Sequence, residues 1–479
     1  MNYETVIGME VHVELHTRSK MFCRCPAEHF QVGANQHVCP VCTAQPGALP
    51  VINGRAIELT VMTGMALGCE IRPHSVFARK NYVYPDLPKG YQVSQYELPL
   101  CEHGQVQIPV DGDAKGGGAE KCIKIERVHL EEDTGKLVHQ GNASLVDYNR
   151  AGVPLMEIVT DASIRSADEA FAYVQKIRQL VRYLGASTGD MEKGAMRCEA
   201  NISVRPAGSE AFGTKVEVKN LNSFRAVRNA IEYEVKRQIE VLEEGGTLRQ
   251  VTMGWDESAN LTREQRSKEF SDDYRYFPEP DLLDVDVTAQ WIDDVRAQLP
   301  ELPDDRAARL TLQIGAEDAA LISEDRDVAD WFEAVVATGA DPRAAANWIT
   351  GEVFRLLKDT DGSMEDVPVT PGQLGELIGL VTAQTISGSA AKEVFAVMWA
   401  DGGAPADIVA AKGLQQVSDS GELEGQVDAV IAEHADAADK VRAGDGKPIQ
   451  FLMGMVMRAS KGKANPQMVQ QLLRDKLEG

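Results

Sequence analysis

The chain opens on strict alternation. In GMEVHVELH (8–16) the apolar positions are Met9, Val11, Val13 and Leu15, and the polar ones are Glu10, His12, Glu14 and His16. Strand side chains alternate between faces, so the pattern predicts a half-buried strand with carboxylates and imidazoles along one side. Shorter alternating runs follow in QVQIPV (105–110), KCIKIERVHL (121–130) and EANISVRP (199–206), and DGDAKGGGAE (111–120) predicts a hairpin loop. Two helical patterns interrupt them. One starts at the capping box Ser166-Ala-Asp-Glu169, sets Phe171, Val174, Ile177, Val181 and Leu184 on one face, and stops at Gly185. The other follows Ser223, carries Val227, Ile231, Val235, Ile239 and Leu242, and ends at Gly245-Gly246. Strands mixed with helices in this way predict an α+β domain with a mainly antiparallel sheet.

Beyond LPELPDD (299–305) the period changes. Ala, Leu, Asp and Glu recur at helical spacing until DGGAPAD (401–407), a second boundary. The predicted division is an α+β domain over 1–295, an all-α helical domain over 296–405 and a small all-α tail domain over 406–479. That agrees with about three domains for a chain of this length.

Composition narrows the class. With 43% apolar residues there is material for buried cores, and the apolar stretches are too short and interrupted for a membrane span. The first residues carry no basic segment leading into an apolar run, so a cytoplasmic protein is expected. The net charge of −24 argues against a general polyanion-binding surface. The end of the chain is different. From residue 440 onward Lys440, Arg442, Lys447, Arg458, Lys461, Lys463, Arg474 and Lys476 outnumber Asp445, Asp475 and Glu478.

Eight cysteines in such a chain are not a disulfide framework. Cys69, Cys101, Cys122 and Cys198 are scattered and read as small buried apolar residues. Cys23, Cys25, Cys39 and Cys42 form two close pairs within an insertion at about 20–45. Two such pairs can surround one tetrahedral ion, and four thiolates make a closed, structural zinc site; the alternative is unligated cysteines in a loop.

Alone, the row Glu10, His12, Glu14, His16 also fits a solvent-facing strand. Two other stretches add acid. RVHLEEDTGK (127–136) carries Glu131, Glu132 and Asp133, and AGVPLMEIV (151–159) sets Glu157 in an apolar run, where an unpaired carboxylate is costly. Carboxylates with one imidazole can hold Mg²⁺ or Mn²⁺. ARKNYVYPDLPKGYQVSQY (78–96) offers Arg79, Lys80, Tyr82, Lys89 and Tyr91, either as a well-ordered loop or as a wall for phosphate or a base. There is no P-loop, dinucleotide fingerprint or nucleophile elbow. ATP, if bound, is held in another way.

Taken in order, GMEVHVELHTRSKMFCRC, CPVC, RKNYVYPDLPKGYQVSQY, HLEEDTGKLVH, SLVDYNRAGVPLMEIV, RCEANISVRP, VEVKNLNSFRAV, DYRYFPEPDL, LPELP, ISGSAAKEVFAVMW and FLMGMVMRASKGKANPQMV resemble one family over nearly the whole chain. It is the B subunit of the bacterial glutamyl/aspartyl-tRNA amidotransferase. The resemblance implies an ATP-dependent ligase that phosphorylates the side-chain carboxylate of Glu-tRNA(Gln) or Asp-tRNA(Asn) and amidates the acyl phosphate with ammonia. It implies a cradle domain like glutamine synthetase and the guanidino kinases, and a Mg²⁺ site at Glu10, His12, Glu131 and Glu157, with Glu132 as the alternative to Glu131. Lys80, with Asp86 and Lys89, is implied at an ammonia path. The implied partners are an amidase A subunit, a small C subunit and the mischarged tRNA, met by the tail through Arg458, Lys461 and Lys463. One block departs from the family pattern: RCEAN has Glu199 where aspartate is more usual. Two other readings compete: a zinc-stabilised RNA-binding protein without catalysis, and a metallohydrolase using the Glu-x-His strand without ATP.

Overall fold

The computed structural model describes residues 2–110, 119–267, 274–360, 362–416, 420–460 and 464–477. They fall into two compact units, Met1–Arg306 and Ala307–Gly479. The first is α+β. Its main sheet has nine strands, in the spatial order Leu261–Ser267, Val251–Asp256, Val216–Leu221, Met196–Pro206, Tyr3–Glu14, Pro154–Thr160, Glu120–Glu132, Cys101–Pro109, Glu70–Ile71. Neighbours are antiparallel except Val216–Leu221 beside Val251–Asp256. The opening alternation is therefore the central strand. Its apolar residues Met9, Val11 and Val13 share one core with Leu59 of helix Gly54–Ala66, Val174 and Ile177 of helix Ala167–Tyr183, and Ile231 of helix Phe224–Glu243. Burying one face under helices leaves the other, polar face free to form a site. Of the predicted hairpin loop at 111–120, residues 111–118 lie outside the described residues, but Pro109 and Glu120 on either side of them pair in register.

The helix starts follow the capping chemistry. The Ser166 hydroxyl accepts from the Glu169 amide at 3.1 Å, and the Glu169 carboxylate accepts from the Arg165 amide, one residue before the cap. Gly185, at φ +62°, lets the chain leave the helix. Helix Phe224–Glu243 departs from its expected face. Val227 and Ile231 are buried, but in the second half Glu234 and Gln238 are buried instead of Val235 and Ile239. Glu234 makes this tenable by accepting from Arg237 (2.6 and 2.9 Å), Gln238 (2.9 Å) and Thr262 (3.0 Å). A small sheet, Phe277–Pro278, Ala78–Asn81 and Tyr91–Ser94, carries the Lys/Tyr-rich stretch.

The second unit is helical and has two separate cores. One runs from Leu310 to Val409, the other from Leu423 to Leu477. Helix Pro405–Lys412 packs on the first through Val409 and Ile408. The apolar core of the tail thus begins nearer 423 than 406. No single helix among the described residues is long and apolar enough to cross a membrane.

Candidate active site

Strand register assembles the site. In the antiparallel sheet, residues directly opposite share a face. His12 lies opposite Glu157 on one side and Arg197 on the other, Glu157 opposite His129, Glu10 opposite Glu199, and Asn201 opposite Glu217. Five neighbouring strands thus deliver acids, imidazoles and cations to one polar surface. A cavity of about 440 Å³ opens there, bordered by Glu10, His12, Glu131, Glu157, Glu199 and Glu217, with Lys80, Arg197, Lys215 and Lys219 among them.

The donors form two sets. His12, Glu131 and Glu157 each offer a ligand atom within 4.8 Å of the others, and so do Glu10, Glu199 and Glu217. Of the four residues expected to share an ion, Glu10 stands with the second set. Glu131 is fixed from behind, accepting from Ser94 Oγ at 2.7 Å and Gln92 Nε2 at 3.1 Å. Glu132, one residue on, turns away to pair with Lys89 and accepts from the Val93 amide at 3.0 Å. In the second set, Asn201 donates to Glu10 at 2.8 Å, Lys219 to Glu199 at 2.6 Å, and Thr252 to Glu217 at 2.7 Å.

Charge competition is severe. Burial, with Glu157 and Glu199 nearby, holds the Glu10 carboxyl above its ordinary range. Burial would also raise Glu157, but His12 and His129 override it and hold it well below. Burial would lower His129, yet Glu157 at 3.2 Å and Glu131 at 3.6 Å push it up to about 9. Lys80, desolvated but facing Glu131 and Glu157, is also raised. These cations collect around carboxylates that would otherwise repel one another. His129, Arg197 and Lys219 were not singled out from sequence. His129 could have been, since it and Glu131 are two apart on one strand and so share a face.

Glu14 and His16 separate from the row. Glu14 is buried and bonds His29 Nε2 at 2.9 Å, while His16 lies beyond the strand and is exposed.

The four insertion cysteines also meet. Their sulfurs lie within 4.8 Å of one another, Cys39 and Cys42 at 3.8 Å, and all are free thiols. Thiolates about 2.3 Å from one tetrahedral zinc ion lie about 3.8 Å apart, so the quartet fits that ion. The Cys42 thiol is pulled down to about 5 by a hydrogen bond from Cys23, helped by the Lys20 ammonium. Of the tail cations, Arg458 is exposed in the last turn of helix Pro448–Ala459; Lys461 and Lys463 lie outside the described residues.

Two family models match the chain: the GatB/GatE catalytic domain over residues 5–293 and the GatB domain over residues 330–477. The chain belongs to the GatB/GatE family. Over its full length it is 50% identical to the B subunit of the aspartyl/glutamyl-tRNA(Asn/Gln) amidotransferase of Geotalea daltonii, with the whole of that protein covered. It is 49% identical to the same protein of Geobacter sulfurreducens and 50% to that of Moorella thermoacetica, again with full coverage of both chains.

Proposed function

We propose that this chain is the B subunit of an ATP-dependent tRNA amidotransferase. It acts on the side-chain carboxylate of Glu-tRNA(Gln) or Asp-tRNA(Asn), with ammonia delivered by a glutaminase A subunit and a small C subunit completing the complex. The observation that carries this reading is the acidic, cation-studded cavity on the open face of the sheet. A carboxylate does not react with ammonia because oxide is a poor leaving group. Phosphorylation by ATP cures this: a carboxylate oxygen takes the γ-phosphoryl group, ammonia attacks the carbonyl carbon, and phosphate leaves with that oxygen.

His12, Glu131 and Glu157 suit a hard divalent ion such as Mg²⁺, being two buried carboxylates and one imidazole with converging donor atoms. Such an ion supplies charge neutralisation to phosphate oxygens. Glu10, Glu199 and Glu217 offer an all-oxygen set beside it. Lys80, Arg197 and Lys219 border the same cavity and bring the positive charge that phosphate and carboxylate groups need. The open-faced sheet supports a cradle of the glutamine synthetase and guanidino kinase kind. Lys80 lies at the cavity wall and Lys89 pairs with Glu132 away from it; with Asp86 they are the residues proposed for an ammonia path. The cysteine quartet holds structural zinc. The tail, through Arg458 and the neighbouring Lys461 and Lys463, contacts tRNA phosphates.

The test is oxygen tracing. With Glu-tRNA(Gln) or Asp-tRNA(Asn) ¹⁸O-labelled in the side-chain carboxylate, the reconstituted complex with ATP and glutamine transfers one label into inorganic phosphate for each amide formed. Amide formation with unlabelled phosphate would overturn the proposal, and activity without ATP would favour the hydrolase reading.

A further inference from the structure

The cysteine insertion is tied to the wall of the acidic cavity by a continuous set of contacts. Lys20 is fully buried, a costly place for an ammonium. Its Nζ lies 3.7 Å from Cys42 Sγ and donates to the Tyr148 carbonyl at 3.1 Å. Asn35, in the same insertion, accepts from the Tyr148 amide at 2.7 Å and donates to the Val146 carbonyl at 3.0 Å. The His37 amide donates to Asn149 at 2.8 Å. The segment so gripped runs directly into the wall. The Gly152 amide donates to the Asp133 carbonyl at 2.9 Å, and the Asp133 amide to the Val153 carbonyl at 2.8 Å. Arg150 donates to the carbonyls of Thr134 and Gly135, and the Asp133 carboxylate accepts from Arg197 at 2.6 Å. Asp133, Thr134 and Arg197 all border the cavity, and the strand bearing Glu157 starts at Pro154.

We propose that the four-cysteine zinc site locks the 146–153 segment, with Lys20 as the positioning residue, and thereby sets the Asp133–Arg197 wall of the cavity. This rests on the zinc reading given above. Four thiolates on one zinc carry a net charge of −2, and a buried ammonium beside Cys42 offsets half of it. The same ammonium spends a second donor on the Tyr148 carbonyl. Metal charge therefore fixes the lysine, and the lysine fixes the segment. A loop stapled only by its own turns would need neither the buried cation nor the metal.

The test uses the full-length chain and zinc itself. Zinc content is measured by atomic emission, and backbone protection of peptides spanning 146–160 by hydrogen–deuterium exchange. Stripping zinc with a chelator raises exchange at 148–153 by about 10-fold or more, and restoring zinc reverses it. Lys20→Met exchanges like the stripped chain while still carrying one zinc. Lys20→Arg, which keeps the cation beside a 270 Å³ cavity that Lys20 borders, stays protected. Asn35→Ala, at an exposed position, loosens 146–149 with zinc in place and decides the matter should Lys20→Met not fold. Exchange within twofold of wild type, in stripped protein and in Lys20→Met or Asn35→Ala, overturns the lock while leaving the zinc reading standing. A chain that binds no zinc when offered it overturns both.

Discussion

Glu131 and Glu132 are neighbours with different roles, because a strand sends consecutive side chains to opposite faces. Glu131 joins the acidic cavity; Glu132 pairs with Lys89 behind it. That division is legible from alternation once the strand is placed. The split of the expected set is not: whether Glu10 stands with His12 or with Glu199 and Glu217 depends on which strands pair, at distances of up to about 200 residues that no local pattern encodes. The Lys/Tyr-rich stretch holds another such pairing. Arg79 bonds buried Glu279 twice, at 2.7 and 2.8 Å. Arg79→Met strands that carboxylate and should cost about 3 kcal/mol by denaturant titration at pH 7. Burial would raise Glu279, but Arg79 holds it below its ordinary 4.5. A depressed carboxyl contributes its stability above the unfolded value. The mutant deficit should thus be full above pH 4.5 and shrink as pH falls through the depressed native value.

At the scale of elements, helix starts and the central strand were readable because caps and alternation are local physics. Helix Phe224–Glu243 shows where this stops. Its period pointed Val235 and Ile239 inward, but Arg237, Gln238 and Thr262 surround Glu234 with donors, and the polar pair Glu234/Gln238 is buried instead. Arg237 and Gln238 sit on the same helix, but Thr262 comes from a distant strand, and apolar periodicity sees neither kind of polar partner. Glu234→Ala leaves those donors without their acceptor and should lower stability by about 3 kcal/mol in thermal or urea unfolding. Ser166→Ala removes only a cap and should cost about 1 kcal/mol.

For the whole molecule, the change from an alternating to a helical period predicts a division near 300, and the first compact unit ends at Arg306. A Gly/Pro-rich turn predicts the second boundary, yet helix Pro405–Lys412 packs back on the preceding core through Val409. Turn residues mark where a chain bends, not which core the next helix joins. Truncation after 404 should therefore weaken cooperative unfolding of the preceding helices, whereas truncation after 416 should spare it. Both should lower affinity for charged tRNA, measured by filter binding, while leaving ATP binding by the catalytic unit intact. Unchanged affinity after 416 would remove the tail from tRNA recognition. The proposed role of the His12–Glu131–Glu157 cluster is to drive phosphoryl transfer. It is tested most directly by tRNA-stimulated ATP hydrolysis in the reconstituted complex, comparing Glu157→Gln with wild type. A fall of about 100-fold or more, with zinc content and tRNA affinity unchanged, is the predicted result. Hydrolysis at the wild-type rate would contradict it.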